Sequence, residues 1–462
     1  MKARDICKAA KEGQRLQAHF PDAQVHPPGA QPVTATVVLT WSQDSGPHLE
    51  VFAREPLLDR APRPQHPGER LGIDDLWTVT GSTSDGLQLE ASRLIVSTER
   101  DASGIPLPAD ADRTRIKFKP QTVVLLRQRA SEFPVCSRVG QLQMRTRKLF
   151  FPFPTHTTSE GPFGHSEGTR RDCIKGPLAD GAQFVLQKNG LWQCGARVTG
   201  SSRDQLDSVA SHLELGVGFA TGVAAQWQCY VEETEVGSKI CLSRPRDLVS
   251  HRSEFALLPY PVDPAPLLQA FSVACGRHAQ LVEHLGALHY CWEANEASIH
   301  VSALAACTVL EGLVQELKTH LPEPTTEAPP RVQCDQLLEL IEGSALADTA
   351  LARRTAGFLE RLPAPRATDR FYALRDLGVF TEKEIKAWNK LRNSLAHGAY
   401  GTSPERVHKV FRRLLHVTNM TNKLILLVIG YRGPYRDYSE VDWPTREFGS
   451  EPTVTIKAIP LE

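Results

Sequence analysis

The residues best equipped for chemistry in this 462-residue sequence lie in the segment Leu391-Arg392-Asn393-Ser394-Leu395-Ala396-His397-Gly398. Arg392 offers a permanently charged planar fork that can hold two phosphate oxygens at once. His397 titrates near neutrality and can serve as base or acid, and Asn393 could orient either group. The spacing alone is weak evidence, since a chain with 16 His will show about one Arg with a His five positions later by chance. Five helical residues separate the two side chains by about 140° around the axis and roughly 7.5 Å along it. One straight helix therefore does not bring their heads together, and either the helix frays at His397 or a second copy supplies partners. A bland alternative stays open: Arg392 beside the Trp388/Leu395 stripe as a structural arginine, and His397 before Gly398 as a charged C-cap.

Helices must position these groups, and the C-terminal half reads as helical throughout. Thr381-Glu382-Lys383-Glu384 has capping-box spacing and opens a helix with Ile385, Trp388, Leu391 and Leu395 on one face. Ser403 as N-cap, Pro404 at the first helical position and Gly430 past the end delimit the longest helix, of about 26 residues. On it Arg406, Lys409, Arg413 and His416 form a basic stripe, either an RNA track or a solvated face. Upstream, one helix is expected over 266–292 and another over 295–317, with Leu304, Cys307, Leu310, Val314 and Leu317 in one stripe. Shorter helices are expected near 332–341, 348–361 and 371–377.

Up to about residue 242 the pattern is different: β-branched or alternating runs such as Val33–Trp41, Leu87–Ser97 and Arg115–Arg127, punctuated by Gly, Pro, Asp and Ser, predict a sandwich or distorted barrel. One helix, Arg203–Leu215, interrupts it and runs into Gly216-Val217-Gly218-Phe219-Ala220-Thr221-Gly222. That is no dinucleotide fingerprint, because Thr221 replaces the third glycine and a helix precedes it where a strand is required. Five prolines between Arg244 and Pro266 mark the change of class. The expected organisation is thus α+β and multidomain: a β-rich region over 1–243, a linker over 244–265, a helical bundle over 266–445 and a tail over 446–462.

Fifty-three basic against 53 acidic residues argue against bulk electrostatic coating of nucleic acid, although a locally basic groove remains compatible. Ten cysteines occur without one C-x-x-C pair, which removes the usual zinc and thioredoxin-like spacings, and no metal or other cofactor is expected. The longest aliphatic run, Leu424–Ile429, is far short of a membrane span, and a soluble cytoplasmic protein is expected. Arg145, Arg147 and Lys148 with Phe150 and Phe151 mix cations with aromatics, and a core strand with solvated alternate positions explains them equally well. His284 and His289 lack metal-ligand spacing, and His156 and His165 carry no assignment.

Arg392-Asn393-Ser394-Leu395-Ala396-His397 resembles the R-x4-6-H motif of HEPN domains, whose active members are metal-independent ribonucleases. Ile429-Gly430-Tyr431-Arg432-Gly433-Pro434-Tyr435-Arg436-Asp437-Tyr438 is similar to the tail of the ApeA-like branch, and Leu310-Glu311-Gly312-Leu313 resembles its LE-x-L helix. The three motifs occur in order across about 262–445, and the β-rich half resembles the ApeA N-terminal region more loosely. The resemblance implies an all-α HEPN domain that dimerises and cleaves RNA in a bacterial antiviral defence or toxin role. Arg392, Asn393 and His397 would be catalytic, Glu311 either an orienting group or a surface acid, and Arg406, Lys409 and Arg413 the RNA contacts. The trigger sensed by the β-rich half stays unknown. The rival expectation is a non-catalytic HEPN module that dimerises or binds nucleotides, with function residing in the β-rich half.

Overall fold

The computed structural model describes residues 3–53, 76–94, 115–127, 136–144, 173–188, 193–234, 237–243, 255–259, 262–294, 298–318, 321, 331–344, 349–360, 366–396 and 403–449. The chain divides into two compact units, Met1–Ser250 with Tyr260–Gly276, and His251–Pro259 with Arg277–Glu462.

In the first unit, alternation of apolar and polar residues makes strands that bury one face. Val33–Ser42 reads buried, exposed or half-buried in strict turn. The described strands are β1 (Leu16–His26), β2 (Val33–Ser42), β3 (Gly46–Ala53), β4 (Trp77–Ser82), β5 (Leu87–Leu94), β6 (Arg115–Phe118), β7 (Thr122–Arg127), β8 (Cys136–Met144), β9 (Cys173–Pro177), β10 (Gln183–Lys188), β11 (Gln193–Gly200), β12 (Ala225–Thr234) and β13 (Gly237–Ser243). They form one antiparallel sheet in the order β6-β3-β2-β1-β4-β5-β7-β13-β12-β8-β11-β10-β9. Of the expected sandwich or distorted barrel, the described strands form neither two packed sheets nor separate layers but a single continuous sheet. It coils on itself: Trp41 of β2 donates its indole N–H to the Ser243 carbonyl of β13 at 3.2 Å, although four strands separate β2 from β13 in the sheet order. Inside the coil sits α1 (Ala3–Glu12), whose Ile6, Ala9 and Ala10 join a core with Phe20, Leu39, Trp41, Val51, Leu125 and Val231. Cys229 Sγ and Gln141 Nε2 bond the Ala10 and Lys11 carbonyls, satisfying the last turn of α1.

The far half of the sheet is covered by α2 (Arg203–Thr221), capped by Ser202, which accepts from the Gln205 N–H, and closed by Gly222 at φ 74°. It runs beyond the expected end at Leu215 to Thr221, and the missing side chain of Gly216 leaves room for Leu268 and Phe271 to pack close to the helix. Those two residues belong to α3 (Ala265–Arg277). Arg138 of β8, nearly buried, ties sheet to helix by bonding Glu232 of β12 and Asp207 of α2, with its guanidinium 4.4 Å from the Tyr230 ring centre.

The second unit is helical: α4 (Ala279–Gly286), α5 (Leu288–Ala294), α6 (Ile299–Glu316), α7 (Arg331–Glu342), α8 (Ala350–Leu359), α9 (Ala367–Asp376), α10 (Glu382–Ala396) and α11 (Pro404–Val428). The helices α6, α10 and α11 pack on one another, with α5 against α6 and α9 against both α6 and α10. The single helix expected over 266–292 is three helices. Of the stripe expected on α6, Cys307, Leu310 and Val314, with Leu317 just past its end, are buried and Leu304 is exposed, while Ala303, Ala306 and Leu313 widen the buried face on its other side. A short hairpin, β14 (Gly433–Arg436) with β15 (Thr445–Phe448), follows α11 and departs from an all-helical domain.

The partition does not coincide with a linker over 244–265. The first of the expected bundle helices, α3, lies largely in the first unit, and residues 255–259 lie in the second. There Phe255 packs against Phe411 and Tyr438, and the Tyr438 hydroxyl and Arg436 N–H bond the Ala256 and Leu257 carbonyls at 2.7 and 2.8 Å. Among the described residues no helix is long and apolar enough to cross a membrane.

Candidate functional site

The candidate site is carried by α10, and α10 is anchored at its start. Thr381 and Glu384 form a reciprocal cap: the Thr381 N–H donates to Glu384 Oε2 at 2.7 Å and the Glu384 N–H to Thr381 Oγ1 at 3.2 Å. The carboxylate does more than cap. Fully buried, it accepts from Lys423 Nζ at 3.0 Å and Asn419 Nδ2 at 2.8 Å, both on α11. Asn419 also donates to Asp437 at 2.9 Å and accepts from the Tyr438 N–H at 3.3 Å. Thus the tail motif Gly430–Tyr438 is pinned by a buried polar network to the two helices that precede it.

Three turns along, α10 carries a polar residue on the shoulder of the apolar face formed by Ile385, Trp388, Leu391 and Leu395. Arg392 lies there, half-exposed, and donates from Nε to Glu311 Oε1 of α6 at 2.7 Å. Its guanidinium carbon is 6.0 Å from the Trp388 ring centre. Among the described residues, Glu311 is the only hydrogen-bonding partner of this guanidinium. One turn before Glu311, Cys307 is buried and its thiol is pushed up to about 12 by desolvation; the Glu311 carboxylate adds to this and Arg392 opposes it. Cys307 is thus a protonated apolar floor to the pair.

The other sequence candidates fall as follows. Asn393 is exposed and turns back along its own helix, donating to Asn389 Oδ1 at 3.0 Å. His397 lies outside the described residues, as do Arg145, Arg147, Lys148, Phe150, Phe151, His156 and His165. On α11, Arg406 and Lys409 are exposed, Lys409 within 3.9 Å of Glu405, whereas Arg413 is half-buried. His416 turns inward, its imidazole pKa lowered by burial and then by Lys383. The stripe therefore sinks into the fold along its length, and only its first two members face solvent. His284 approaches Glu316 at 3.8 Å, and His289 packs on Trp292.

A concave feature belongs to the first unit. A cleft of about 550 Å³ is lined by Gly13, Arg15, Trp41, Ser42, Gln43 and Asp44, with other residues of the β2–β3 turn. No spacing in the sequence marks it, because its walls come from the end of α1 and a turn about 30 residues later that coiling of the sheet brings together. Among the described residues no group of three His, Cys, Asp or Glu side chains is placed to hold a metal ion.

Arranged this way, Arg392 and Glu311 present an oriented, planar cationic fork at the exposed edge of α10, fit to hold a phosphate or a carboxylate. Comparison with family models, with curated proteins and with solved structures finds no match to this chain.

Proposed function

We propose that this protein is a metal-independent endoribonuclease of the HEPN type, acting as a homodimer through its helical domain in a bacterial antiviral defence or toxin system in the cytoplasm. In this reading Arg392 holds the scissile phosphate and offsets the charge of the phosphorane. His397 takes the proton of the ribose 2′-hydroxyl or gives one to the departing 5′-oxygen, with Asn393 beside them. The 2′-oxygen bonds to phosphorus as the bond to the 5′-oxygen breaks, leaving 2′,3′-cyclic phosphate and 5′-hydroxyl ends. Arg406 and Lys409 steer the RNA backbone, and the β-rich unit receives the trigger.

The observation that carries the reading is the 2.7 Å bond between Arg392 and Glu311. It joins two of the three motifs behind the resemblance, 81 positions apart, at an exposed face. One observation favours the rival, a non-catalytic HEPN module: Arg392 already has a carboxylate partner and an aromatic neighbour, as a structural arginine would. Cleavage of RNA by the full chain in EDTA, with Arg392→Ala and His397→Ala as controls, separates the two. Cyclic phosphate ends that disappear in both variants support the nuclease. A chain that binds RNA without cutting it, or whose cutting needs added magnesium, rejects it.

A further inference from the structure

Among the described residues, Arg370 of α9 is a buried cation without a counter-charge. It is 5% exposed and shares the buried side of its helix with Phe371, Ala373 and Leu374, where α9 packs against α6 and α10. Its Nε and Nη1 are enclosed with no hydrogen-bond acceptor, and no carboxylate of the described residues pairs with it. Other enclosed cations of this chain are matched: Lys423 meets Glu384 and Arg138 meets Glu232. A buried guanidinium with unsatisfied donors lowers stability, which makes Arg370 a group whose charge an outside anion has to complete.

Helix geometry places that anion. Side chains of a helix lean toward its N-terminus and cover the turn before their own Cα. Arg370 is the fourth residue of α9 and so reaches back over the helix start, turned about 40° from Arg366. There the Asp369 and Arg370 N–H groups close onto the Arg366 carbonyl at 3.0 and 3.3 Å, while those of Ala367 and Thr368 have no partner among the described residues and carry the positive end of the helix dipole. Arg366, its side chain 69% exposed, stands at the rim. The Asp369 carboxylate accepts the Arg366 N–H at 2.8 Å and lies 3.8 Å from Arg366 Nε, about 100° around the axis from Arg370, so it caps a different flank and leaves Arg370 uncompensated. Two cations, two unbonded N–H groups and a helix N-terminus suit a dianion with three oxygens on one atom. A carboxylate brings one charge and two oxygens, and an internal phosphodiester needs an open groove that an enclosed guanidinium does not offer. We infer that the start of α9 binds a terminal phosphate, one oxygen on Arg370 Nη2 and the others on the Ala367 and Thr368 N–H groups and Arg366. The phosphate belongs to a free nucleotide or to a 5′-phosphorylated RNA end, and the site stands whether or not the chain cuts RNA.

The test is calorimetric titration and thermal melting of the full chain in phosphate-free buffer, with four probes: inorganic phosphate, adenosine monophosphate, and a short RNA carrying either a 5′-phosphate or a 5′-hydroxyl. The wild type is expected to bind inorganic phosphate and to melt higher in its presence by mass action. Arg370→Met keeps the buried stem and drops the charge. It should weaken phosphate binding by about 10-fold or more, yet melt at or above the wild-type temperature without ligand, because an enclosed unpaired cation has gone. Phosphate also stabilises folded proteins generally, so the ligand-dependent rise is read as the difference between wild type and variant at equal phosphate. Arg366→Gln, on an exposed side chain that the fold does not need, should weaken binding by roughly threefold or more and leave the melting temperature in place. Tighter binding of the 5′-phosphorylated RNA than of adenosine monophosphate supports an RNA end as the ligand, and equal binding of the two supports a free nucleotide. Failure of all four probes to bind, or an affinity for phosphate that both variants retain, would overturn the inference.

Discussion

Glu311→Gln removes the charge that holds Arg392 while keeping an oxygen able to accept from Nε. The two side chains are 28% and 49% exposed, so the ion pair itself contributes only about 0.2–1 kcal/mol to stability. For a unit of about 200 residues that lowers the melting temperature by roughly 3 °C at most. Turnover should respond differently. If the carboxylate sets the direction of the fork, its loss lets the guanidinium wander by about an ångström, a misplacement that costs about 100-fold in rate. Phosphate meanwhile loses a repulsive neighbour, so KM should stay level or fall as kcat drops. Single-turnover cleavage of a defined RNA, alongside a thermal melt, reads both quantities. A rate within twofold of wild type would make Glu311 a surface acid. A fall in melting temperature above about 10 °C, with activity lost in proportion, would make the pair structural and refute the positioning role.

Three further outcomes follow from buried groups. His212 of α2 is buried and its pKa is lowered to about 4, chiefly by desolvation, with Asp180 opposing. Unfolding raises it to about 6.5, so stability is complete above pH 6.5 and falls as the unfolded chain takes up a proton between pH 6.5 and 4, by about 3 kcal/mol in total. Urea midpoints across that window should show this slope, and His212→Gln should flatten it. Gly140 of β8 has Cys229 O only 2.0 Å from where a Cβ would stand, so Gly140→Ala must part β8 from β12, a loss of about 3 kcal/mol by denaturant titration. Lys423→Met leaves the buried Glu384 without its ammonium partner and should cost about 3 kcal/mol, and adding Glu384→Gln should recover part of it in the same assay.

Much of this structure was legible wherever its cause is local. The caps at Thr381 and Ser403 are hydrogen bonds to the third residue onward, so residue types three apart announce them. The apolar face Ile385/Trp388/Leu391/Leu395 follows from helical period alone, and all four side chains are buried. By contrast β1 was hidden, since Pro21-Asp22 breaks the alternation at the bulge between Phe20 and Ala23. Arg115–Arg127 divides into β6 and β7 around Lys119-Pro120-Gln121, where proline cannot donate to a ladder.

What sequence determined by itself is the change from β-rich to helical segments, the helix starts, and an arginine set beside the apolar stripe of α10, because each depends on neighbours within about one or two turns. Tertiary structure alone decided which charges are buried and with whom. Glu384 reads as an ordinary capping acid, yet it is fully enclosed because Asn419 and Lys423 lie 35 and 39 positions away on the helix packed against it. Arg392 finds Glu311 across 81 positions, and the room that Gly216 leaves beside its helix is taken by Leu268 and Phe271, distant in sequence. The coiling of the sheet around α1 belongs to the same class, since closure is set by pairings summed over many strands and by no local run. Long-range partners carry no sequence period, and the desolvation of a charge is a property of everything packed around it.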